Sequence, residues 1–296
     1  MKLAAAIAAL VLSTSAFAQK TVELVWPFSP SSPHSNVVRS LAENANKKQN
    51  KYVFVFLHKP GAGGAIAVNY AAQGTPENIR VLAHTSSFWI RPHFFEEGRY
   101  DINSVTPLTF IYKGESLALA STKHKTLDEF RKQSKVNLGV IPGSITMLTA
   151  DRIARALKHD FNLVPYPGTP EISRDVMGQH LDAGVDFTAL VDALQPNINI
   201  LGITGTRSVL GHKTFASQGI KGLEDIFSAY FLSMPKDTNP ALVSEMAAIL
   251  QEAAKGDNVK SIVENNLRAE YVQMNTEEAQ KFFRYHTGTW NSILKK

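Results

Sequence analysis

The sequence predicts an α/β protein of two lobes. Three observations carry that prediction. Strand-length apolar runs alternate with helical patterns through the first third of the chain. The alternation breaks near Leu108 and then begins again. The last third is mostly helical, so its helices must pack on something already built.

In the first unit, Val22 to Trp26 reads as a strand stopped by Pro27. Val37, Val38, Leu41, Ala42 and Ala45 then share one helical face, with Ser35 positioned to cap the helix start. Tyr52 to Leu57 is a second strand, Pro60 to Gly64 a turn, Ala65 to Ala72 an Ala-rich helix and Ile79 to Ala83 a third strand. A β-α-β-α-β order predicts a parallel sheet with helices on both faces.

In the second unit, Leu108 to Tyr112 and Leu117 to Ala120 read as paired strands. Thr126-Leu127-Asp128-Glu129 is a capping box opening a short helix. Asn137 to Ile141 is a strand stopped by Pro142-Gly143. Met147, Leu148, Ala150, Ile153, Ala154 and Leu157 form the next helical face, with Ser144 as its cap. Leu163 to Tyr166 is a short strand. Thr169-Pro170-Glu171 places a capping residue before a Pro at the first helical position, and that helix stops at Gly178. Leu181 to Phe187 and Ile198 to Thr204 are further strands. Asn239-Pro240 and Thr276 each open a C-terminal helix, the latter with Ala279, Phe282, Phe283, His286, Trp290 and Ile293 on one face. The expected division is a leader at 1–18, a first lobe of 19–120 plus 225–296, and a second lobe of 121–224.

The N-terminus is an export leader. Lys2 supplies the positive end, Leu3 to Leu12 the apolar stretch, and Ala16-Phe17-Ala18 a small-x-small cleavage site ahead of Gln19. Ten residues are too few to span a bilayer, and no later apolar segment is long enough to do so. The expected location is therefore periplasmic or secreted. With no Cys, disulfides, thiolate chemistry, Cys-ligated metals and lipid attachment at a cleavage-site Cys are excluded. A formal net charge of +5 is spread along the chain, and no basic stripe interleaved with aromatics marks a nucleic-acid binder.

Four loops share one design. Ser29 to Ser35, Thr85-Ser86-Ser87, Gly143-Ser144-Ile145-Thr146 and Gly168-Thr169 each follow a strand and are rich in Ser, Thr and Gly. Helix N-termini offer unpaired N–H groups and a partial positive charge, so they bind anions without Lys or Arg. In open α/β sheets ligands sit beyond the carboxyl ends of strands. Facing one another, these loops would make a carboxylate site; singly, each also reads as an ordinary cap or turn. His34 lies inside the first loop. Tyr166, between Pro165 and Pro167, reads equally as packing or contact. Asp186 ends an apolar stretch and caps a turn or accepts from a ligand. Trp26 reads as core. Pro60 to Gly64 lacks the G-x-G-x-x-G spacing, and no Walker loop or G-x-S-x-G is present, so no cofactor is expected. His34, His58, His84 and His93 show no metal-ligand spacing.

Taken in order, these segments resemble the Bug receptors, the substrate-binding proteins of tripartite tricarboxylate transporters. Trp26-Pro27-Phe28-Ser29-Pro30-Ser31-Ser32-Pro33, with Val37 and Arg39, is similar to their V-P-F-x-P-G-G-x-x-D-x-x-x-R opening. Lys59 to Gly64 is similar to R-P-G-A-G-G, and Val164 to Thr169 to V-P-Y-K-G-T. Thr75-Pro76-Glu77 with Val81-Leu82-Ala83, and Met177 to Asp182, follow in register. Ser31 and Ser32 stand where the family has a double Gly, and Ser35 where it has an acid.

The resemblance implies a type II periplasmic-binding-protein fold, with two α/β lobes around a cleft. It implies a non-catalytic, monomeric receptor that delivers a small carboxylate to membrane transporter subunits. By position it assigns ligand contacts to Phe28 through Ser35, to Ser86 and Ser87, to Gly143 through Thr146, and to Asp186. The other readings are an exported hydrolase using Ser144 or His34, and a ligand-sensing subunit for a membrane signalling partner.

Overall fold

The structure, a computed structural model, describes residues 19–95 and 100–295. The export leader read at 1–18 lies outside the described residues. The first unit comprises β1 (Lys20–Trp26), α1 (Pro33–Lys48), β2 (Tyr52–His58), α2 (Ala65–Ala72), β3 (Ile79–Thr85), α3 (Ser87–Phe94) and β4 (Val105–Glu115). The second comprises β5 (Leu117–Ser121), α4 (Leu127–Phe130), β6 (Lys135–Val140), α5 (Ile145–Leu157), β7 (Asp160–Pro165), α6 (Thr169–Met177), β8 (Ala183–Phe187), α7 (Thr188–Asp192) and β9 (Asn199–Ile203). The chain then returns through β10 (Ser228–Pro235), α8 (Pro240–Ala254), α9 (Asp257–Ser261), β11 (Glu270–Tyr271) and α10 (Thr276–Lys295).

Among the described residues the strands form two mixed sheets, ordered β11-β4-β10-β3-β1-β2 and β7-β6-β8-β5-β9. In the first, β1 pairs parallel with β2 and β3, and β10 joins antiparallel between β3 and β4. In the second, β6 pairs parallel with β7 and β8, while β5 lies antiparallel between β8 and β9. Each parallel half presents the carboxyl ends of its strands at one edge, and there the loops of interest begin.

Both faces of each sheet are covered, which explains the continuous apolar runs in the strands. In β1, Val22, Leu24 and Trp26 pack toward α1 and α8, while Val25 points to the opposite face. That opposite face holds Leu82, Phe88, Phe231, Phe283 and Trp290, and the same cluster continues into the second lobe through Leu119, Leu148 and Val185. The outer face of the second sheet is closed by Ile172 and Val176 of α6. The C-terminal helices pack on the first sheet, with α8 against α1 and β4, and α10 against β4 and α3.

Several expectations need correction. Leu108 to Tyr112 and Leu117 to Ala120 do not pair with each other. They lie in different sheets, because the chain crosses between lobes at Ser116. Ser35 does not cap α1; the helix begins at Pro33 with Ser32 at the cap position, and the Ser35 hydroxyl donates to the Pro30 carbonyl at 2.7 Å. Gly168 rather than Thr169 is the N-cap of α6. The strand β10 and the helix α3 were not foreseen. The caps read at Thr126, Ser144 and Asn239 form as expected.

Gly184 on β8 sits under α6, where an added Cβ would lie 2.5 Å from Ile172 Cγ2. Gly184→Ala therefore overpacks a buried face and is expected to lower unfolding free energy by about 1–3 kcal/mol, read by urea denaturation. An unchanged midpoint would show that α6 is not tightly seated.

Candidate functional site

Loops from the carboxyl ends of β1, β3, β6, β7 and β8 converge on a cavity between the lobes. The first lobe contributes Trp26, Phe28, Ser29, Ser32, His34, Thr85 and Ser87. The second contributes Ile141, Ser144, Ile145, Thr146, Gly168, Thr169 and Phe187. Among the described residues no Lys or Arg lines it. The N-termini of α1, α3, α5 and α6 all supply lining residues, so the positive ends of four helices meet at one region. Neither α1 nor α6 has a side-chain cap bond at its entry.

The structure brings together Phe28, Ser29, Ser32, His34, Thr85, Ser87, Ser144, Ile145, Thr146 and Gly168 on the cavity wall. The remaining residues singled out from sequence stand back from it. Ser31 bonds Ser29 through their hydroxyls at 2.8 Å. Ser86 Oγ accepts from the Ala229 amide at 3.0 Å and so anchors β10. Gly143, at φ +68, packs toward the first lobe, where an added Cβ would be 2.6 Å from Arg91 Cγ. Tyr166 donates its hydroxyl to Asp175 at 2.7 Å, within its own lobe. Asp186 is buried behind the wall, accepting from the Phe187 amide at 2.6 Å and the Ser173 hydroxyl at 3.1 Å.

Sequence reasoning passed over three lining residues. Trp26 was assigned to the core, and it does stack on Tyr230 with ring centroids 5.5 Å apart, yet it also lines the cavity floor. Ile141 and Phe187 close the strands read at Asn137 to Ile141 and Leu181 to Phe187, and that position at a strand end was the available signal; Thr169 lines the cavity as part of the fourth loop.

The Ser144 hydroxyl is turned inward. It donates to the Ile141 carbonyl at 2.8 Å and accepts from the Thr146 amide at 3.1 Å, which is the bonding of a helix cap. The lobes touch through the Ile145 amide, which donates to Ser87 Oγ at 3.3 Å. Below the cavity the crossing at Ser116 is pinned. Its hydroxyl donates to Thr188 Oγ1 at 2.8 Å, and the Leu117 amide donates to Thr204 Oγ1 at 2.9 Å.

The floor is ionisable. His34 Nε2 lies 3.0 and 3.1 Å from the two oxygens of Glu115, and its Nδ1 lies 3.1 Å from Ser32 Oγ. Both side chains of the pair are buried. Tyr112 donates to Glu115 at 3.0 Å, and its own ionisation is pushed well up by burial and by that carboxylate. Burial raises Asp186 to about 7, against the pull of the Phe187 amide and Ser173 hydroxyl. Burial lowers His84 to about 4. The cavity itself measures about 30 Å³. At roughly 10–15 Å³ per water this is room for about two waters, which is too little for an organic acid in the arrangement seen here.

The Asp186 shift has a signed consequence. Its folded pKa lies above its unfolded value, so the native state holds this proton more tightly. Its contribution is fully present below about pH 4 and is lost as pH rises through about 7. Ionisation of Asp186 should then cost the native state about 3–5 kcal/mol at alkaline pH. Asp186→Asn is expected to be more stable than the parent at pH 8 and close to it at pH 4, by denaturant melts. A loss of equal size at both pH values would contradict this.

Comparison with known proteins agrees with this fold. Residues 37–296 match the family described as the tripartite tricarboxylate transporter family receptor. The periplasmic binding protein BugD superposes with a TM-score of 0.83 at 22% identity, covering 93% of this chain and 96% of that one. MatC from Rhodopseudomonas palustris, solved with bound malate, gives 0.82 at 20% identity over 93% and 98%. Rpa4515 from R. palustris, solved with adipate, gives 0.79 at 19% identity over 94% and 96%. The chain belongs to the tripartite tricarboxylate transporter receptor family.

Proposed function

We propose that this protein is an extracytoplasmic solute-binding receptor that captures a small organic carboxylate between its lobes and presents it to transporter subunits in the membrane. It does so as a monomer and without chemical change to the ligand. One observation carries the reading. Hydroxyls and helix N-termini from both lobes face a single cavity that is lined by no Lys or Arg among the described residues. Such a surface neutralises an anion with peptide dipoles and hydrogen bonds, which releases it more readily than an ion pair would.

The ligand surface of this reading comprises Phe28, Ser29, Ser32, His34, Thr85, Ser87, Ser144, Ile145, Thr146 and Gly168. Trp26, Phe28, Ile141 and Phe187 supply apolar walls against the ligand's carbon chain. The lobes are those built on the two sheets, and closure would follow from rotation at the Ser116 crossing and its partner between β9 and β10. The leader sequence at 1–18 supports export. No described helix is long and apolar enough to cross a membrane. The malate and adipate seen in two proteins of the same fold support a carboxylate as the ligand class. The inward bonding of the Ser144 hydroxyl supports a structural rather than a nucleophilic role for that residue.

Thermal unfolding with a panel of mono-, di- and tricarboxylates tests the reading. A cognate acid at about 100 times its Kd is expected to stabilise the protein by about 2.7 kcal/mol, and mass spectrometry should recover it unchanged. No shift with any acid, or conversion of the acid to a product, would contradict the proposal.

A further inference from the structure

Within that receptor reading, we propose that Ser32, His34 and Glu115 form a relay that recognises one carboxylate of the ligand, with the Ser32 hydroxyl making the contact and His34 supplying the positive charge behind it.

The relay is built from residues 81 positions apart in sequence that meet at the cavity floor. Glu115 ends β4 beside the lobe crossing and is only 1% exposed. A buried carboxylate is stable only when paired and hydrogen-bonded, and this one has both: His34 on its two oxygens and the Tyr112 hydroxyl on one of them. With Glu115 as a carboxylate, which can only accept, the proton between the pair would sit on His34 Nε2. That fixes the tautomer and leaves Nδ1 to meet Ser32 Oγ.

Two arrangements of the Nδ1 contact are possible. In neutral His34, Nδ1 accepts the Ser32 hydroxyl proton, and Ser32 shows only a lone pair to the cavity. In the imidazolium, Nδ1–H donates to Ser32 Oγ, and the Ser32 proton is free to donate into the cavity. An anion in the cavity favours the second arrangement, and a neutral group gains nothing from it. The relay thus places a cation one hydroxyl away from a site that no other cation lines among the described residues. Its charge is offset by Glu115, so the floor does not become a permanent anion trap.

The titratable groups around His34 are Glu115 and Tyr112 of β4 and Asp186 of β8, whose charges act on one another. Phe187 closes the fourth side, its ring 4.4 Å from the imidazole. Asp186 is the other group able to exchange a proton with this cluster, so the test must separate the two.

Malate, succinate and adipate binding would be measured by calorimetry from about pH 6 to about pH 9, where these acids stay ionised and imidazoles titrate. The proteins are the parent, Ser32→Ala, His34→Gln and Asp186→Asn. Ser32 makes no cap bond, so its alanine variant removes only the Nδ1 contact and keeps the two His34–Glu115 contacts. The expected result is a parent affinity that falls as pH rises. Ser32→Ala and His34→Gln should bind about 10- to 100-fold more weakly at pH 6, the worth of a charge-assisted hydrogen bond. Both should have nearly flat pH profiles, while Asp186→Asn keeps the slope. Parent binding with Ser32→Ala and His34→Gln unchanged would overturn the relay alone. A slope lost in Asp186→Asn but kept in His34→Gln would also overturn it. Hydrolysis of an ester probe abolished by Ser32→Ala would make Ser32 a nucleophile and replace the relay. A parent that binds none of the three acids would overturn the relay together with this carboxylate assignment.

Discussion

The whole molecule depends on how its two sheets are joined. The chain leaves β4 at Glu115 and enters β5 at Leu117, so a single residue separates strands that belong to different lobes. The Ser116 and Thr188 hydroxyls, and the paired bonds between Leu117 and Thr204, hold that crossing on both sides. Given right-handed parallel crossovers, the crossing leaves the carboxyl ends of the parallel strands in each lobe facing the other lobe. Every feature of the candidate site follows from this: the loops, the helix N-termini and the narrow cavity between them.

The buried His34–Glu115 pair sits directly at that crossing. Its desolvation makes it a poor source of stability, and an apolar replacement of the same volume would serve the fold as well or better. Its placement makes more sense as chemistry. The family's double Gly in the first loop would bring bare backbone amides toward a ligand. Here Ser31 and Ser32 occupy those positions, so the approach of the backbone is restricted and a hydroxyl is offered instead. A hydroxyl backed by a paired imidazole recovers part of the positive potential that the closer amides would have provided.

Much of this was legible in sequence because it rests on local rules. Ser144, Asn239-Pro240 and the Thr126 box announced their helices through capping chemistry, and Phe283, His286 and Trp290 through helical spacing. The four loops were legible because each follows a strand. What failed was non-local. Leu108 to Tyr112 and Leu117 to Ala120 read as paired strands because they follow one another closely in the chain, and nothing local distinguishes a hairpin from a crossing. Ser228–Pro235 is buried along its whole length and so lacks the alternation that marks a strand. Ser87–Phe94 carries Pro92 and bulky aromatics that argue against a helix. His34 was noticed for its loop, but its partner Glu115 had no sequence signature, since a lone acid between two apolar runs reads as a turn residue.

In the receptor proposed above, a ligand enters only when the lobes part and is held when they meet. Ser29 and Gly168 face each other across the cavity, and a Cβ built on Gly168 lies 3.1 Å from that of Ser29. That is a few tenths of an ångström under the roughly 3.5–4.5 Å between the Cβ atoms of a disulfide, so a small separation of the loops seats the bond, and the chain has no native Cys to interfere. Binding of a cognate carboxylate to the Ser29→Cys, Gly168→Cys double variant, clamped by oxidation without ligand and then reduced, tests the claim most directly. The expected result is binding lost in the oxidised protein and restored by reduction. Equal affinity and equal association rate in the two states would contradict it.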